Sequence, residues 1–322
     1  MAEDLAEQDK VTTEQAVLDR LSAESASGGF HCTLDADHSV THISRSGTLM
    51  VSFATLENTL QVTRSGLPVG LDFVEEKNWS LLHFASRSDS WFRAQSVYAF
   101  IDGLVDDAFF EGFDRVIFFG AGIGAYAACA YSVAAPGATV LAIAPQATLD
   151  TSRAGWDMRF PEAKRLHFDT RYGYAPDMVE GAQNAFILYD PYRALDHVHA
   201  SLFQGPNITR LRCRHLDGLI EYALHEMDLM HRTIEMAASG TLTEQGFYKL
   251  LRARRTHSRY LRTLVYALGK RNRPTHVATV CKHVLNNGMG GPFFRKNLAS
   301  ARETLSRYGK LPDWMAEEDT GS

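Results

Sequence analysis

Between residues 79 and 213, short apolar runs alternate with stretches of helical period, as strands buried on both faces of a sheet alternate with covering helices. Residues 79 to 85 form a compact apolar run, and residues 91 to 110 then space aromatic and aliphatic side chains helically. Arg115-Val-Ile-Phe-Phe119 reads as a buried strand, Gly120-Ala-Gly-Ile-Gly124 as a sharp turn, and residues 125 to 134 as an alanine-rich helix. Residues 139 to 144, 185 to 189 and 208 to 213 are further strand candidates. Upstream, β-prone runs at 31 to 34, 40 to 43 and 48 to 53 are broken by Asp-Ala-Asp and Ser-Arg-Ser-Gly, so they read as strands or hairpins at a sheet edge. Beyond Leu216 the strand pattern stops and helical periodicity runs to residue 307. The expected fold is α/β: a mostly parallel sheet with flanking helices, plus a C-terminal helical region.

The same pattern suggests a division of the chain. Residues 1 to 28 are polar, end in Ser-Ala-Ser-Gly-Gly, and read as a tail that is either a short helix or flexible. Residues 29 to 238 would form the α/β domain, 239 to 309 a helical appendage, and 310 to 322 a second polar tail. With 322 residues, 45% of them hydrophobic, and 24 Gly and 10 Pro, the chain has a core to bury and is neither disordered nor collagen-like. A net charge of -5 offers no global positive field for nucleic acid or anionic lipid, so neither is expected as a partner. Cys32, Cys129, Cys213 and Cys281 lie far apart with no Cys-x-x-Cys pair, which argues against a zinc knuckle or redox dithiol and suits a reducing cytosol. No N-terminal apolar segment and no apolar run of about 20 residues is present, and the expectation is a cytoplasmic protein without cofactor.

A strand, a Gly-x-Gly-x-Gly turn and a helix can serve a phosphate or a nucleophile, or can simply let the helix pack closely on its strand. The dinucleotide fingerprint needs a wider spacing of its last two glycines and an acid about twenty residues on, where this chain has the apolar Val140 and Leu141. The nucleophile turn fits better, with Gly120 and Gly124 as the outer glycines of Gly-x-Ser-x-Gly. Over residues 79 to 230 the chain resembles the α/β-hydrolase fold. That resemblance puts Gly122 in the nucleophile's place, where it supplies no attacking atom. It makes Asp190, in Leu188-Tyr-Asp-Pro-Tyr192, and His215, in Cys213-Arg-His-Leu-Asp-Gly218, remnant candidates for the acid and base.

More narrowly, Ser90-Trp-Phe-Arg93, Phe119-Gly-Ala-Gly122, Pro145-Gln-Ala-Thr148, Arg171-Tyr-Gly-Tyr-Ala-Pro176 and Asp190-Pro-Tyr192 resemble a group of uncharacterised bacterial proteins. That group is sometimes catalogued as phosphoadenosine phosphosulfate reductase. Such a reductase carries a Ser-Gly-Gly-x-Asp-Ser phosphate loop and a C-terminal Glu-Cys-Gly-x-His cysteine. Here Ser27-Gly-Gly29 lacks the Asp-Ser, and Cys281 stands in Val280-Cys-Lys-His.

Ligands of open α/β sheets gather beyond the carboxyl ends of the strands, so Arg87, Asp89, Gly122, Gln146 and Asp190 are expected to converge on one crevice. Arg87, Asp89 and Arg93 follow the strand ending at Ala85, read as the site of the oxyanion loop. Arg87 and the helix start at Gly122 to Gly124 would favour a small anionic ligand. His197 and His199 fall on different faces of a helix, which favours surface or capping roles over shared metal ligation. The segment with Trp156, Arg159, Phe160 and Arg171 to Tyr174 is placed where hydrolases carry a lid. The basic stretch from Lys249 to Arg273 reads mainly as a solvated helical face. The leading expectation is a non-hydrolytic binding or scaffold protein with a protein partner for its helical region. The alternatives are a hydrolase whose nucleophile is displaced to Ser86, Ser88 or Ser132, with Asp190 and His215 in support, and the sulfonucleotide reductase.

Overall fold

Eight strands form one sheet in the order β1-β2-β4-β3-β5-β6-β7-β8. They are β1 (Gly29–Thr33), β2 (His38–Ile43), β3 (Thr48–Thr55), β4 (Ser80–Ser86), β5 (Arg115–Ala121), β6 (Thr139–Ile143), β7 (Asn184–Tyr189) and β8 (Ile208–Arg212). The computed structural model describes residues 12 to 316. Only β2 runs against its neighbours β1 and β4; β4, β3 and β5 to β8 are parallel. β2, β4 and β6 are buried along their whole length, as a sheet covered on both faces demands. At one edge β8 exposes Arg210 and Arg212, charges that discourage pairing with another chain.

The segment expected as a polar tail contains the helix Glu14–Ser25, capped by Thr13, whose hydroxyl oxygen accepts the Ala16 N–H. Val17, Leu18 and Leu21 are buried, and the helix packs on β1 and β2. Its apolar stripe is only three residues wide, which the polar composition hid. The glycine turn leads into the helix Ile123–Tyr131, buried from Gly124 onward, followed by a 3-10 turn over Ser132–Ala134.

The chain divides into two units between Tyr248 and Lys249, further along than residue 239. The helix Met230–Ala238 packs on β5 and β6, and the Tyr248 hydroxyl oxygen accepts the Arg212 N–H, so both belong to the sheet unit. In the second unit the helices Ser258–Lys270, Pro274–Asn286 and Pro292–Arg307 enclose Val265, Cys281, Val284 and Phe294. Pro274 and Pro292 each start a helix where their missing N–H costs nothing. Arg252, Arg255, Arg259, Lys270, Arg271 and Arg273 are exposed. Among the described residues no helix is long and apolar enough to cross a membrane.

Candidate functional site

Gly122 stands between β5 and the following helix with φ +53° and ψ -117°. L-residues adopt such a backbone only when their surroundings force it. A Cβ on Gly120 would lie 2.2 Å from the Gly124 carbonyl oxygen, and one on Gly124 would lie 2.0 Å from the Phe53 oxygen. Glycine is therefore compulsory at both positions for helix and sheet to meet. A Cβ on Gly122 would meet nothing within 4 Å. The sequence thus builds the tight turn of a nucleophile elbow and leaves its apex bare.

The apex opens on a cavity of about 350 Å³ beyond the carboxyl ends of β3, β5 and β6, lined among others by Asn58, Asp89, Gly122 and Glu221. Strand order decides which loop flanks the elbow. β3, not β4, lies beside β5, so the neighbouring loop is the one after Thr55, where the helix Leu56–Val62 starts. The expected oxyanion position after Ala85 is corrected accordingly. Asn58, whose N–H is taken by the Thr55 hydroxyl oxygen at 3.1 Å, donates its amide to Glu221 Oε2 at 3.0 Å. Burial pushes the Glu221 carboxyl up to about 7 against the opposing pull of that bond.

The anticipated acid and base do not complete a triad here. Asp190 is buried and accepts the Tyr192 N–H at 3.0 Å and the Asp217 N–H at 2.8 Å, which ties the end of β7 to the turn after β8. Burial raises its pKa, while these bonds and one from the His215 backbone act to lower it. The His215 ring stacks on Tyr192 with centroids 4.3 Å apart, and His215 does not line the cavity at Gly122. Asp190 thus anchors backbone.

Of the residues expected to converge, Asp89 and Gly122 share the cavity, with Gly124 beside them. Arg87 does not, because its guanidinium pairs with Glu14 at 3.1 Å on the outer surface. Gln146 is buried away from it and donates to the Ala144 carbonyl at 3.2 Å. Gly120 is spent on helix packing. Sequence reasoning missed Asn58 and Glu221, which no local spacing connects.

His197 is exposed, whereas His199 is fully buried. His199 Nδ1 accepts the Ala147 N–H at 3.1 Å, so Nε2 carries the proton and donates to Asp157 Oδ2 at 3.0 Å. Arg159 forks onto Asp157, with NH2 to Oδ2 at 2.8 Å, and bridges to Asp196. The lid-like insertion is thereby bolted to the helix Ala194–Leu202. Among the described residues no group of His, Cys, Asp and Glu could hold a metal ion. The reductase reading finds no support: Cys281 is buried in a helix, where burial pushes its thiol up to about 11, and Ser27-Gly-Gly29 leads into β1. A cavity of about 740 Å³ opens where β3, β5 and β6 begin, the end opposite to ligand sites in such sheets.

Strand order, antiparallel β2 and glycine elbow together define an α/β-hydrolase-like fold carrying additional C-terminal helices. No protein family matches the sequence, and no curated protein is significantly similar to it. Solved structures do match. The capsule O-acetyltransferase of Neisseria meningitidis serogroup A is 11% identical, covering 64% of this chain and 93% of its own, with a TM-score of 0.42. A thermostable carboxylesterase cloned from a metagenomic library is 13% identical, covering 71% and 96%, with a TM-score of 0.40. A hyperthermophilic esterase of the archaeon Pyrobaculum calidifontis is 12% identical, covering 74% and 95%, with a TM-score of 0.38. At these values the fold assignment rests on the strand order and the elbow.

Proposed function

We propose that the elbow crevice is a ligand-binding site and not a hydrolytic one, taking a small ligand that bears an ammonium group. The observation that carries this is Gly122 itself, which keeps the backbone of a nucleophile elbow, supplies no attacking atom and leaves open space at its apex. The lining supports the choice of charge. Glu57, Asp89 and Glu221 face the cavity and among the described residues no Lys or Arg does, so an anion would meet three carboxyl groups. The start of the helix Ile123–Tyr131 offers only about half a positive charge in compensation. The anion expected from the sequence rested on this helix start together with Arg87, and Arg87 is committed to Glu14.

Titration calorimetry with a panel of small primary and quaternary amines between pH 5 and 9 tests this. Glu221 ionises as the pH rises through about 7, so affinity is expected to increase over that range. Glu221→Gln should flatten the dependence and weaken binding at pH 8 by about tenfold, the worth of one partly screened charge pair. Amine affinity that is independent of pH and unchanged in Glu221→Gln, or binding confined to anions, would sink the reading.

A further inference from the structure

Away from the elbow, three side chains have the connectivity of an oriented nucleophile. Asp35 lies in the turn before β2, His38 opens β2, and Ser90 lies in the loop after β4. The antiparallel register sets His38 opposite Ser86, which brings the loop after β4 over the start of β2. His38 Nδ1 sits 2.9 Å from Asp35 Oδ1 and 3.0 Å from Oδ2, and His38 Nε2 sits 2.7 Å from Ser90 Oγ. A carboxylate accepts and does not donate, so the proton is on Nδ1, Nε2 is the free lone pair, and the Ser90 hydroxyl donates to it.

The surroundings fix this order. Asp35 also accepts from the Ser96 hydroxyl and from the N–H groups of Asp37 and His38. Burial acts to raise its pKa, but these bonds prevail and hold the carboxyl at about 2, ionised at neutral pH. Ser90 Oγ accepts the Phe92 N–H at 3.2 Å and has Ser86 Oγ 2.9 Å away, while the Ser86 hydroxyl is committed to the Ser88 carbonyl. Trp91 and Phe92 both have φ +56° and are fully buried, so packing holds a strained turn directly after the serine. Asp35, His38 and Ser90 all line a cavity of about 650 Å³ that also contains Trp91, Phe160 and Leu166.

Among the described residues Ser52, Ser88 and Ser132 lack this arrangement. The Ser88 hydroxyl donates to Asp37 and the Ser132 hydroxyl to the Cys129 carbonyl. Ser52 and His83 pair at 2.9 Å, but both are buried and neither lines this cavity.

We propose that Ser90, His38 and Asp35 form a displaced catalytic triad that hydrolyses uncharged esters, with the acyl chain against Trp91, Phe160 and Leu166. Ser90 Oγ bonds to the ester carbonyl carbon as its proton passes to His38 Nε2. The carbon–oxygen bond to the alcohol then breaks, and that proton leaves with the alcohol. Water attacks the acyl-serine, again giving a proton to Nε2, and that proton returns to Ser90 Oγ as the carboxylic acid departs. At the same cavity Asp35, Asp37, Asp89 and Glu162 outnumber Arg93, held by the His167 and Arg171 carbonyls, and Arg159, paired with Asp157 and Asp196, so the balance disfavours anionic substrates.

The test is reaction with a small alkyl fluorophosphonate, read by intact mass and peptide mapping on the unaltered protein, together with turnover of 4-nitrophenyl butyrate. One adduct on Ser90 and turnover that disappears in Ser90→Ala are expected, and Asp35→Asn, verified as folded by circular dichroism, should label at least about 100-fold more slowly. No adduct, an adduct on another serine, unchanged turnover in Ser90→Ala or an undiminished rate in folded Asp35→Asn would overturn the proposal.

Discussion

Gly124→Ala is expected to destabilise the protein by about 3 kcal/mol or more, whereas Gly122→Ala, two residues earlier, should cost about 1 to 2 kcal/mol. The contrast follows from what each methyl group would meet. At Gly124 it would be driven to 2.0 Å from the Phe53 carbonyl oxygen, near the carboxyl end of β3, and neither strand nor helix can yield without opening the sheet. At Gly122 it would enter empty space, and the only cost is holding an L-residue at φ +53°. Urea denaturation of the two variants beside the parent reads the difference. Equal losses would mean that the turn does not have the geometry of an elbow.

Asp157→Ala is expected to cost about 3 to 5 kcal/mol, because it leaves the buried His199 Nε2–H and part of the Arg159 fork without an acceptor. The pH dependence of the parent should carry the same signature. Burial acts to raise the Asp157 pKa, but the bonds from Arg159 and His199 prevail and hold it at about 2. A depressed carboxyl stabilises the fold fully above its ordinary value of 3.8, and that contribution fades as the pH falls toward 2. His199, whose pKa burial lowers below 6.5, adds a loss that begins near that higher value as the unfolded chain takes up the proton. Denaturation midpoints of the parent and Asp157→Ala should therefore stay apart above pH 3.8 and converge only as the pH falls from 3.8 toward 2. A constant gap across that range would contradict the assignment of Asp157 as an ionised, buried acceptor.

The parts of this structure written in short stretches of sequence were readable there. Apolar β5, the three glycines and the alanine-rich helix are contiguous, and their periods and φ requirements leave few alternatives. What depended on strand order was not. Residues 48 to 53 and 79 to 85 both read as strands, but the first was placed at a sheet edge, because nothing local says that β3 lies inside the sheet between β4 and β5. Hence the loop beside the elbow was misplaced, and Arg87 was credited with a crevice it does not reach. Asn58 and Glu221 are separated by 163 residues, and Ser90 and His38 by 52. Such pairs are made by sheet register and have no spacing to recognise. The first helix was one of two readings of its segment, and only its docking was obscured, since three apolar side chains suffice to hold it among otherwise polar residues.

The elbow is complete in its backbone, but among the described residues no histidine lines its cavity. Its most direct test restores the missing hydroxyl: Gly122→Ser is made together with Ser90→Ala, so that no reaction at Ser90 can be mistaken for one at the elbow, and the purified protein is treated with the same fluorophosphonate. Because His215 stacks on Tyr192 and Asp190 is occupied by backbone N–H groups, the intact mass is expected to remain that of the unmodified double variant. A stoichiometric adduct mapped to position 122 would contradict the account, because it would require a histidine to reach the elbow and complete the triad.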